Sequence, residues 1–271
     1  MKGTPEMKKT YPSEFVFQTV SLIVAFILVH TLYVLLIRPR ANFILAEQEA
    51  MMEVNPNYVQ ERSVYVVLRD YEQESCFVLM IWAMAIMLYK GRETVRERKL
   101  LLLDLIPIHE GTRILPEDAR EYARQIESLP EEEQRLLLPR ALLSALARFR
   151  ATRNIQDASA TAHAVADTES ARLDSELSMI RYIAWAIPSI GFIGTVRGIG
   201  DALAQAHRAV EGNIAGVTES LGVAFNSTLI ALLIGIVLMF LIHQLQLQQE
   251  RLVLDTETYL DRHLIQHLQV P

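Results

Sequence analysis

The segment Ser220–Ile242 contains no charged residue and constrains the chain more than any other stretch. At about 1.5 Å per residue, a helix of that length exceeds the roughly 30 Å of a bilayer's hydrocarbon core. A second uncharged run, Tyr182–Val196, precedes it, and the stretch between them, Gly198–Glu219, is polar and punctuated by glycine. The whole unit, Arg181–His243, therefore reads as two membrane helices joined by a short loop. Both helices carry residues that lipid does not favour. Pro188, Gly191, Gly194 and Thr195 lie on the first, and Asn226, Ser227 and Thr228 on the second. Hydroxyls and an amide inside a span are costly unless they meet a partner or water. The pair is thus either the wall of a polar path or a tight helix–helix contact. Gly194 and Gly198 form a G-x-x-x-G, which permits close backbone approach.

Two more spans follow from the same reasoning. Phe15–Ile37 comes after Lys8 and Lys9, as a signal peptide would. It is longer than an apolar signal region of about 7–15 residues, and it ends in Arg38-Pro39-Arg40 without a small-residue cleavage pattern, so it reads as a retained helix. Cys76–Tyr89 is short for a span, at about 14 residues. Upstream helix can lengthen it, and Lys90, Arg92, Arg96, Arg98 and Lys99 follow it at once. By the positive-inside rule that end is cytoplasmic, and Lys2, Lys8 and Lys9 prefer the same side. The expected topology has four spans and both termini in the cytoplasm.

The expected organisation is a cytoplasmic lead (1–14), a first hairpin (15–89) with an external acidic segment (38–75), a helical cytoplasmic domain (90–180), the second hairpin (181–243) and a cytoplasmic C-terminal helix (244–271). Asn55-Pro56-Asn57 marks a turn, after which a helix is expected to run through Val64–Leu68 into the Cys76 run. Pro116-Glu117-Asp118 and Pro130 with three glutamates read as helix starts. No proline separates Arg140 from Pro188. Ala158, Ala162 and Val165 share a face there, and that helix is expected to continue into the membrane. Leu252, Tyr259, Leu260, Leu264 and Leu268 make an apolar packing stripe near the end. The fold class is all-α, a polytopic membrane protein with four transmembrane helices and a helical cytoplasmic domain.

Composition removes several functions. A formal net charge of −6 excludes a generally basic nucleic-acid binder. One cysteine, Cys76, excludes an internal disulfide framework and reads as a small buried hydrophobe. His263 and His267 are four apart and share a helical face, but no third metal ligand accompanies them. His30, inside the first span, is an ionisable group at depth that either serves function or bonds a neighbouring helix. Arg197 can snorkel from the end of its span. There is no G-x-x-x-x-G-K-[ST] and no catalytic triad or paired-carboxylate arrangement, so nothing marks an enzyme.

The run AIPSIGFIGTVRGI resembles the P-x-x-G-x-x-G-T-V-x-G signature of the MotA/TolQ/ExbB proton-channel family. AFNSTLIALLIGI resembles that family's other pore helix, in which a threonine follows a small residue and precedes an apolar run. The resemblance implies a homo-oligomer, a pentamer, in the bacterial inner membrane around two copies of a single-span partner similar to MotB, TolR or ExbD. That partner supplies a transmembrane aspartate that carries the ion, a proton, and no cofactor is implied. The two pore helices of this chain have no titratable group of their own, which suits such a division. Thr195 and Thr228 match the family's pore threonines; Ser227 and Asn226 are further ion-path candidates; Pro188, Gly191, Gly194 and Gly198 are helix-packing positions. The acid that relatives place near the start of the last span aligns with Val223, and Glu219 stands nearby. Four spans with a large loop between the second and third resemble a flagellar stator, whereas the run from Trp185 to Gly191 is closer to TolQ and ExbB. The expectation is a channel-forming subunit of an ion-driven motor or energiser. A flagellar stator and a non-conducting membrane scaffold are the alternatives.

Overall fold

The computed structural model describes residues 11–54, 63–103, 105–107, 113–210, 212 and 214–270. The expected turn at Asn55-Pro56-Asn57 and nearly all of the N-terminal lead lie outside them. Among the described residues the protein is helical, with one isolated bridge between Ile114 and Leu268 and no strand. Four helices are long and apolar enough to cross a membrane, so the chain is an all-α, polytopic membrane protein. It divides into two compact units: residues 1–87 with 179–241, and residues 88–178 with 242–271.

In the first unit, α1 (Tyr11–Leu32), a π-helical turn (Tyr33–Ile37) and α2 (Arg38–Val54) follow without a break. The helix does not stop at the Arg38-Pro39-Arg40 boundary. Pro39 has no N–H for the carbonyl four residues before it. The widened turn just upstream, closed by an Arg38 N–H to Tyr33 C=O bond, coincides with that missing link. Val29, Tyr33 and Ile37 bury one face against Val78. The helix expected to enter the second span as one piece is two: α3 (Val64–Val67) and α4 (Tyr71–Leu100). Gln73 Nε2 donates to the Val67 carbonyl at 3.0 Å across the break. Glu72 and Glu74 occupy the first turn of α4, where the helix dipole favours carboxylates.

The second hairpin is more helical than its glycines suggest. α9 (Ser178–Ala204) runs through Pro188, Gly198 and Gly200; α10 (Ala206–Val210) follows; α11 (Ala215–His263) begins before the uncharged run and ends twenty-one residues after Ile242. The expected loop Gly198–Glu219 therefore shrinks to its middle. Glycine costs about 1 kcal/mol in a helix interior, an amount that close packing of a second helix offsets. α11 also crosses the expected boundary at Gln244 without a helix break, neither glycine nor proline occurring between Gly235 and Pro271, although the two units divide close to it, after Leu241.

The second unit contains α5 (Ala119–Glu127), α6 (Glu131–Gln134), α7 (Leu137–Thr152) and α8 (Ile155–Glu176). Asp118 and Pro130 stand at the N-caps of α5 and α6, where the sequence places helix starts. The proline-free stretch after Arg140 is nevertheless interrupted. Arg153 ends α7 in the left-handed region at φ 51°, and the Asn154 side chain caps α8 by accepting the Gln156 N–H at 2.9 Å. Leu142, Leu146 and Phe149 of α7 pack with Ala158 and Ala162 of α8 and with Leu260, Leu264 and Leu268 from the end of the chain. Two of the buried charges in this unit are paired, whereas Glu97 accepts the Leu137 N–H at 3.2 Å. Glu169 accepts Arg140 at 2.6 Å and also pairs with Arg172, while Lys90 meets Glu176 at 2.8 Å.

Candidate functional site

Gly191, Gly194 and Gly198 recur at three- and four-residue steps, so they line one face of α9. All three are buried against α11. A Cβ added at Gly191 would lie on the Ala231 methyl, and one at Gly194 would meet Ser227 Cβ at 2.6 Å. One at Gly198 would stand 2.6 Å from the Ser220 carbonyl oxygen and 2.7 Å from Ala224 N. The opposing stripe on α11 is equally small: Ser220, Ala224, Ser227 and Ala231. The absence of side chains on one helix lets the backbone of the other approach. Pro188 lies on the Gly235 side, with its Cγ 3.5 Å from where a Gly235 Cβ would be, and does not end α9.

That approach gathers hydroxyls. Thr195 and Thr228 hydrogen-bond each other through their Oγ1 atoms. Thr228 Oγ1 is also 3.0 Å from the Gly191 carbonyl, and Thr195 Oγ1 is 3.1 Å from the Ala224 carbonyl. Ser227 is buried and donates to Ala224 O (3.0 Å) or Gly191 O (3.3 Å). Both threonines are half-buried. Asn226 is half-buried as well, but two positions from Thr228 it falls on the opposite side of α11. Thr195, Thr228 and Ser227 thus form one cluster, which Asn226 does not join. A hydroxyl donates one hydrogen bond and accepts others without carrying charge, so the cluster can hold water or a protonated acid.

Charged groups gather at the loop end of the hairpin, and sequence reasoning did not pair them. Arg197 does not snorkel alone. Its guanidinium grips Glu72 of α4 through two bonds, Nε–Oε1 at 2.7 Å and Nη2–Oε2 at 2.9 Å. Asp201 stands 3.9 Å away on α9. Glu219, whose position suggested an ion-path acid, pairs with Arg69 at 3.2 Å. Arg69, Asp70, Arg197, Asp201, Glu219 and Ser220 line a cleft of about 370 Å³. Burial pushes the Asp70 carboxyl above its ordinary range, and the nearby Arg69 and Arg197 pull it back. The sequence signal for these partners is a matching charge excess: acids at 70, 72 and 74 before one span, and Arg197 at the end of another.

The remaining candidates are elsewhere. His30 Nδ1 lies 2.7 Å from Glu74 on α4, and the other Glu74 oxygen pairs with Arg38. Cys76 is buried, with its sulfur 3.7 Å from the Ile187 carbonyl. His263 stacks on Tyr259 at 4.1 Å, and His267 lies past the end of α11, so the two histidines do not share a helical face.

Residues 133–258 match the MotA/TolQ/ExbB proton channel family. No curated protein and no solved structure matches the chain. The matched range contains the whole hairpin, with the glycine stripe, both threonines and Ser227, and leaves the first two spans outside. The glycine signature and its opposing small-residue helix therefore lie within the range, 133–258, that matches the MotA/TolQ/ExbB proton channel family.

Proposed function

We propose that this chain is the channel-forming subunit of a proton-driven membrane motor or energiser. Five copies surround two copies of a single-span partner of the MotB, TolR or ExbD type, whose transmembrane aspartate carries the proton. Thr195 and Thr228 line the route, supported by Ser227 and, on its own face, Asn226. Pro188, Gly191, Gly194 and Gly198 set the helix spacing. The complex sits in the bacterial inner membrane with both chain termini in the cytoplasm, an orientation that rests on the basic cluster after Tyr89. The observation that carries the proposal is the hydroxyl cluster. Two uncharged spans within the range that matches a proton channel family bring Thr195 and Thr228 together at a half-buried position, where hydroxyls serve a proton route and lipid gains nothing from them.

A flagellar stator is one form of this function, favoured by the long segment between the second and third spans. A non-conducting scaffold is the competing reading. It draws on the fact that each threonine hydroxyl already has acceptors inside the hairpin.

Threonine replacement separates them. Valine keeps the branched shape and loses the hydroxyl; serine keeps the hydroxyl and loses a methyl. Along a proton route, Thr195→Val and Thr228→Val lower ion-driven activity at matched membrane levels, and the serine variants retain more of it. In a scaffold the order reverses, because valine preserves packing. Normal activity of both valine variants removes the threonines from the route.

A further inference from the structure

Where α4 leaves its apolar run, one face of the helix is both cationic and open. Leu88, Arg92, Val95, Arg96 and Lys99 recur at three- and four-residue steps, so they share one side of α4. All five are exposed, Leu88 at 67% and Val95 at 51%, and no acid falls among them on that side. The other basic residues that follow the span are engaged elsewhere. Lys90 is buried against Glu176, and Arg98 faces Asp255 at 3.6 Å. Arg96 reaches Glu132 at 3.1 Å, but both side chains are more than half exposed, and such a pair contributes little. Arg92 and Lys99 have no ion-pair partner among the described residues.

Helix geometry brings these cations to the lipid headgroups. Tyr89 closes the apolar run that begins at Cys76. At about 1.5 Å per residue, Arg92 stands roughly 4.5 Å beyond Tyr89, Arg96 roughly 10 Å and Lys99 roughly 15 Å. The Cα–Cβ bonds of a helix tilt toward its N-terminus, which for α4 is the membrane side. Long side chains on this face therefore lean back toward the bilayer surface, where lipid phosphates lie. α11 has no such charge where it leaves its own uncharged run. Glutamines stand at 244, 246, 248 and 249, and no Lys or Arg occurs before Arg251.

We propose that this face of α4 binds an anionic phospholipid. Arg92 takes the phosphate, Arg96 and Lys99 add charge around the headgroup, and an acyl chain lies along Leu88. Charge complementarity selects this occupant. A second copy of the chain would desolvate Arg92 and Lys99 unless it brought acids to them. The lipid supplies chain and phosphate in the order in which the face presents Leu88 and then its cations. Clustered basic residues just past a membrane helix attract anionic lipid by this mechanism. The site lies outside the range that matches the channel family and is independent of the threonine route.

The test uses the full-length chain in mixed vesicles of phosphatidylcholine and phosphatidylglycerol that carry a trace of either lipid in photoreactive form. After illumination, label on residues 88–99 is read by peptide mass spectrometry. Phosphatidylglycerol labels this segment more than phosphatidylcholine does, by about fivefold for each cation that meets the headgroup. Arg92→Gln lowers that preference about fivefold, and adding Lys99→Gln removes it. Arg92→Lys keeps most of it, which shows that the neutral variants act through charge. Equal labelling of the wild type by the two lipids, or an undiminished preference in the double variant, refutes the site. Absence of label from this segment while α1 is labelled refutes it as well, because protein then covers the face.

Discussion

Gly191→Ala probes the helix contact on which the hydroxyl cluster depends. Its new Cβ falls on the Ala231 methyl, far inside the carbon–carbon optimum of about 3.5–4.0 Å, so the helices must part by roughly 1 Å. Overpacking of this kind costs about 1–3 kcal/mol, while alanine recovers about 1 kcal/mol of helix propensity over glycine. A parting of that size calls for the upper half of the overpacking range, about 2–3 kcal/mol, so the single variant should lose about 1–2 kcal/mol net. Ala231→Gly alone should lose about 1 kcal/mol, since it introduces a glycine into α11. In the double variant the clash is gone, and what remains is contact with Ser227 O at 3.2 Å and Thr228 Cα at 3.3 Å, relieved by shifts of a few tenths of an ångström. One helix gains the propensity that the other loses, so the double variant should match wild type to within about 1 kcal/mol, well short of the sum of the singles. Thermal unfolding of the purified chain in mild detergent, followed by tryptophan fluorescence, measures all three. An unaffected Gly191→Ala, or a double variant at least as unstable as the worse single, would refute the close-contact argument.

Three further outcomes are expected. A topology reporter near Arg98 should be cytoplasmic and reporters near Asn57 and Asn213 external; a cytoplasmic signal at Asn57 would overturn the four-span orientation. Native mass spectrometry of the purified complex should show several copies of this chain with fewer of a partner, and a stable monomer in mild detergent would contradict the assembly. Glu169→Ala removes the buried acceptor of Arg140 and Arg172, which are themselves half exposed, and should destabilise the second unit by about 1–3 kcal/mol, with Glu169→Gln milder, as read by thermal unfolding.

Much of this protein was legible in its sequence because membrane insertion is governed by local quantities. A charge-free run either spans about 30 Å as a helix or it does not, and neighbours far along the chain cannot change that. The glycine signature around Gly191–Gly198 was legible for the same reason, since its meaning lies in the side chains it lacks. Tertiary structure decided where helices end and which charges meet. Local signals put breaks at Arg38-Pro39-Arg40 and Gly198, yet the helix continues through both. Asn154 is a helix-capping residue type, but only the packing of α7 against α8 shows that the chain turns there, with Arg153 in the left-handed region. Which side of α11 meets α9, and so that Thr228 and not Asn226 joins Thr195, is set by the packing of the two helices. Glu72 and Arg197 are 125 positions apart, and nothing local to either predicts the other. Composition and period determined what had to be a membrane helix. The closeness of two helices, set by three missing side chains, decided which polar groups could find each other.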